Sequence, residues 1–151
     1  MKQVHNKLFV TKFINKTRAE KMSVELYYIC LYGLLIIATT LIQQLTSIAN
    51  VGLMPVFSSR EGVKFSGMTA RLERAILNCV VSLAMIAPAI SVLTMTETSS
   101  ANIVLAVKVF FWARVVYIIA YSFNVMGVRS ASWVTSLLSI LYLYFSAMTV
   151  S

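Results

Sequence analysis

The chain has 151 residues, 59% of them hydrophobic and only 12% charged, with a formal net charge of +8 and a mean hydropathy of +0.82. That is too little polar surface to cover a soluble domain of this size, so an ordinary water-soluble enzyme or binding module is excluded. The composition points to one integral membrane domain, with membrane lipids rather than nucleic acid as its surroundings.

Residues 1–21 come first. They hold six cations (Lys2, Lys7, Lys12, Lys16, Arg18, Lys21) and one acid, Glu20. No small-residue cleavage site follows an isolated apolar core, so the segment does not read as a signal peptide. Three readings of this tail stay open: a basic arm, an interfacial segment near Phe9 and Phe13, or a mis-assigned start ahead of Met22. The membrane domain is expected over residues 22–151.

Four stretches are long enough to cross a hydrocarbon core of about 30 Å as helix. They run from Leu26 to Ile48, Leu72 to Leu93, Ile103 to Phe123 and Ala131 to Val150. None shows the short alternation of a membrane barrel. Glu25 opens the first span, where the helix dipole favours an acid. Gly52 and Pro55 mark its end. A polar loop from Gly52 to Thr69 follows. The second span opens on "RLERAILNCVV" and carries Pro88, which removes one backbone donor and predicts a kink. Serine and threonine in "TMTETSSAN" are placed to cap the third span. "FNVMGVRS" links the third span to the fourth. Short links predict antiparallel neighbours, hence an all-α up-down bundle of four transmembrane helices. Cys30 and Cys79 lie in apolar segments and read as buried free thiols.

Lys64, Arg71, Arg74 and Arg129, with Arg60, fall at one end of this bundle; its other end has Glu97 and the basic tail. Without the tail, the arginine-rich end is expected to be cytoplasmic; with it, the charge rule is ambiguous. The expected location is a multi-pass membrane, the inner membrane if the source is bacterial.

Charges inside a membrane are costly and mark functional sites. Arg74 and Asn78 are four apart and share a helix face. Arg71 extends that stripe. In the third span Arg114, Tyr117 and Tyr121 fall at i, i+3 and i+7, again one face. Lys108 lies well round from Arg114 and nearer the helix start, where it can snorkel. The Arg114 stripe is either a structural polar core or an anion site. Guanidinium forks from two helices, tyrosine hydroxyls and an amide suit a carboxylate or thiolate ligand. No metal-ligand cluster, phosphate-binding glycine loop or serine triad is present.

"RLERAILN", "ARVVYIIAY" and "VRSASW" together resemble the MAPEG family, the membrane-associated proteins in eicosanoid and glutathione metabolism. The likeness covers Met22 to Val150 and is closest to bacterial members. It implies a homotrimer with active sites between subunits, where glutathione is the co-substrate and a lipophilic small molecule or a peroxide is attacked. By motif, the resemblance assigns Arg74 and Asn78, with Arg71 and Arg60 more loosely, to glutathione binding. Arg114, which matches the family's helix-3 arginine, is expected at the glutathione site with Tyr117 and Tyr121, and Arg129 matches the arginine that stabilises the thiolate. The family pattern has a glutamate where this chain has Val81. No acid occurs from Ala75 to Thr96, or from Thr98 to Ser151. Two function readings follow: a glutathione-dependent transferase or peroxidase, and a non-catalytic lipid-binding or assembly protein on the same scaffold.

Overall fold

The computed structural model describes residues 22–57, 62 and 64–149, so the basic tail and Arg60 lie outside the described residues. Five helices follow in order: α1 (Val24–Val51), α2 (Leu53–Phe57), α3 (Gly67–Met95), α4 (Ala101–Ser122) and α5 (Met126–Met148). Four of them, α1, α3, α4 and α5, are long and apolar enough to cross a membrane. The described residues contain no strand. This is an all-α, multi-pass integral membrane protein.

Local chemistry sets the helix ends. Ser23 caps α1, its hydroxyl accepting from Leu26 N at 3.3 Å, and Ser100 caps α4 by accepting from Ile103 N at 3.3 Å. Each satisfies one of the orphan N–H groups of a first turn. Gly52 ends α1 at φ 84°, a conformation that favours glycine. Asn124 turns the chain between α4 and α5 at φ 61°; Asn tolerates this region better than most residues. Two spans begin earlier than hydropathy suggests. α3 starts at Gly67 and α5 at Met126, so Arg71, Arg74 and Arg129 all sit in helical turns. α1 ends at Val51 before Gly52, where its stop was expected, and Pro55 lies beyond it in the short α2. α3 runs through Pro88 to Met95 without interruption.

The packing is unequal. α4 and α5 make the most extensive pair, followed by α1 and α3; α3 also touches α4 and α5, while α1 reaches α4 but not α5. The buried face of α5 carries Ser132, Ser136 and Ser139, whose hydroxyls bond back to carbonyls of their own helix. Small side chains with satisfied hydroxyls let two membrane helices approach closely. α1 is tied across the bundle by aromatic edges: Tyr28 meets Phe111 at 5.5 Å and Tyr32 meets Phe110 at 4.9 Å, centroid to centroid. The Tyr32 hydroxyl also donates to the Cys79 carbonyl at 2.9 Å, joining α1 to α3.

The two ends are stitched differently. At the arginine-rich end the Asn50 amide donates to the Thr69 hydroxyl, and Arg71 Nε donates to the Ser122 carbonyl at 3.0 Å. The second bond places a cation on the C-terminus of α4, where the dipole favours it. At the other end the buried Glu25 carboxylate accepts from the Ser99 hydroxyl, fixing the α3–α4 link to α1. Cys79 is buried, as expected; Cys30 is exposed on the outer face of α1, contrary to the expectation of two buried thiols.

Candidate functional site

Arg114 lies eight residues from the end of α4, about 12 Å in from the arginine-rich end at 1.5 Å per residue. Its side chain is 0% exposed. Hydropathy alone predicts that such a residue faces inward, because an isolated guanidinium toward lipid is expensive. Nη1 donates to Asn78 Oδ1 on α3 at 2.7 Å, a distance typical of a charge-assisted bond. The guanidinium carbon lies 5.7 Å from the Phe110 ring centre and 5.3 Å from that of Tyr117, so cation–π attraction holds it one turn either way along α4. Nε and Nη2 are buried and have no hydrogen-bond partner among the described residues.

From Arg114 a chain of contacts runs outward. Tyr117, buried, stands 5.5 Å from Tyr121, ring centre to ring centre. Tyr121, half-buried near the end of α4, is covered by Arg129 of α5, whose guanidinium carbon lies 4.9 Å from its ring centre. Asn78, Arg114, Tyr117, Tyr121 and Arg129 thus touch in sequence across three helices. They form a polar track from the bundle interior to its arginine-rich end.

The other two candidate residues lie apart from this track. Arg71 has its Nε on the Ser122 carbonyl, beside the last turn of α4. Arg74 is exposed on α3, a turn before Asn78. Val81 is 55% exposed and on the outer side of α3, so the helix face that lacks the family's acid is not the face that meets Arg114. The Asn78 amide, not a carboxylate, receives that cation.

Sequence reasoning did not select Phe110, Tyr32 or Cys79. Phe110 is four residues before Arg114 and was findable from helical spacing. Tyr32 meets α3 at Cys79, the residue after Asn78, but only the packing of α1 on α3 brings Tyr32 there. On the outer seam of α4 and α5 lie two apolar grooves. One, of about 420 Å³, is lined by residues including Leu105, Val109, Leu138 and Tyr142. The other, of about 200 Å³, lies at the arginine-rich end against Val116, Ile119, Phe123 and Val128.

The four long apolar helices thus enclose a guanidinium, with a run of polar and aromatic contacts leading from it to one end of the bundle. Comparison with protein families matches residues 24–149 to the MAPEG family. The chain belongs to that family, whose members generally use glutathione in membrane transferase and peroxidase chemistry. No curated protein and no solved structure matches it.

Proposed function

We propose that this protein is a membrane-bound glutathione-dependent transferase or peroxidase acting on a lipophilic electrophile. The observation that carries the reading is the contact track from Asn78 through Arg114, Tyr117 and Tyr121 to Arg129. Arg129 stabilises the glutathione thiolate. A free thiol titrates near ~8.5, and an adjacent guanidinium favours the deprotonated form, the nucleophile. Arg74 and the Nη groups of Arg71 meet the carboxylates of the tripeptide, which suit a bidentate fork. Asn78, Tyr117 and Tyr121 complete the contacts, and Arg114 supports them from below. The electrophile enters from lipid, where the 200 Å³ groove begins near the first turn of α5. Thiol from water and electrophile from lipid then meet at the membrane boundary, which removes much of the entropic cost of the encounter.

The site is completed in a homotrimer. On α3 the positions Arg74, Leu77, Val81, Ala84, Pro88, Ser91 and Met95 are all exposed. They alternate three and four apart, the 3.5-residue spacing of a seam that packs against another helix. Small residues at the middle of that seam allow close approach. Arg74 stands at its arginine-rich end, so a neighbouring copy would wall the glutathione site there.

The second reading, a lipid-binding or assembly protein that has lost catalysis, is favoured by Val81. Where the family pattern has an acid for glutathione's amino end, this chain is apolar. One experiment separates the two. Mixing the purified protein with glutathione should raise the ultraviolet absorbance of a thiolate, and Arg129→Ala should abolish the rise. An absence of any rise in the wild type leaves the non-catalytic reading.

A further inference from the structure

Arg114 presents a second problem that glutathione does not solve. Its Nε and Nη2 donors lie on one edge of the guanidinium, the side-on edge that binds acceptors in pairs. Both are buried and unpartnered among the described residues, and the whole side chain is 0% exposed. The groups seen against the guanidinium are the Asn78 amide and the rings of Phe110 and Tyr117, none of them anionic, and the neighbouring Cys79 is a thiol in its ordinary form. The one acid of α1, Glu25, is at the opposite end and bonded to Ser99. α4 and α5 contain no acid, and in α3 the one acid is Glu73, exposed near the helix start. A buried cation with two open donors and no counter-charge is costly unless something negative joins it.

We propose that the Nε–Nη2 edge of Arg114 binds a small inorganic anion, a halide, held inside the bundle. A peptide carboxylate cannot reach this edge while the Arg114 side chain is 0% exposed and both donors are buried. A monatomic ion needs little more room than one buried water. The halide sits between the two N–H groups, neutralises the guanidinium and leaves Nη1 on Asn78. The site borders Asn78 and Tyr117, which the proposed function also uses, but the proposal does not rest on that reading and is tested without glutathione.

The test uses the full chain in detergent without glutathione. Thermal unfolding is followed as gluconate is replaced by chloride or bromide at constant ionic strength. The midpoint should rise with halide, by about 2 °C or more once the site fills. Arg114→Gln should lose this dependence, and Cys79→Ser should keep it. Bromide anomalous scattering from crystals should give a peak on the Nε–Nη2 edge, which decides the matter even if the Arg114 variant does not fold. A midpoint indifferent to halide, or bromide peaks only at the protein surface, would overturn the proposal. So would a thiolate absorbance in the ligand-free protein that disappears in Cys79→Ser, because Cys79 would then be the counter-charge.

Discussion

Removing the Asn78 amide tests how Arg114 is held. In Asn78→Ala the 2.7 Å bond from Arg114 Nη1 is lost, and the guanidinium gains a third unmet donor in a place water does not reach. A hydrogen bond to a charged group contributes roughly 1.5–3 kcal/mol. For a chain of this length each 1 kcal/mol moves the unfolding midpoint by about 2–4 °C, so the midpoint should fall by about 3–12 °C. Ser82 donates to the Asn78 carbonyl, not to its side chain, so that bond survives the substitution. The decisive assay is a double-mutant cycle with Arg114→Met, by thermal or denaturant unfolding in detergent. Once the cation is gone, losing the amide should cost less than about 0.5 kcal/mol, giving a coupling of about 1 kcal/mol or more. Arg114→Met itself should be tolerated far better than the loss of Asn78 alone, since replacing a poorly compensated buried charge by an apolar chain is often neutral or stabilising. An equal cost for Asn78→Ala in both backgrounds would refute the argument that the amide serves the guanidinium.

Three further outcomes are expected. Tyr32→Phe removes the 2.9 Å bond to the Cys79 carbonyl while keeping the ring edge on Phe110; it should lower stability by about 1 kcal/mol, measured by unfolding, and a neutral result would mean the α1–α3 junction depends on packing alone. Ala84→Arg places a long cation in the middle of the outer α3 seam and should shift the detergent-solubilised mass from that of the proposed trimer to that of a monomer, read by light scattering; a monomeric wild type would refute the trimer, and an unchanged trimer would put the interface on another face. Val81→Glu restores the acid of the family pattern and should tighten glutathione binding in a calorimetric titration, whereas unchanged or weaker affinity would count against the alignment that places the acid at Val81.

The four spans were legible because burial in lipid demands about twenty apolar residues in a row, a signal hydropathy reads directly. Their starts were less so. The residues from Gly67 to Thr69 and from Met126 to Ser130 look like loop, yet they form the first helical turns of α3 and α5, where the backbone still gains by hydrogen-bonding within the helix. Contacts along one helix follow from spacing alone, which is why Arg114, Tyr117 and Tyr121 could be grouped in advance. Contacts between helices depend on rotation about each axis. Nothing in the sequence foretold that Arg71 would bond the end of α4, that Tyr32 would reach the Cys79 carbonyl, or that Val81 would be left exposed.

The proposed function requires a glutathione site at the arginine-rich end of this bundle. Titrating glutathione into the detergent-solubilised protein in a calorimeter should give saturable binding to the wild type that is weakened in Arg74→Ala. No binding heat across the millimolar range would rule that site out.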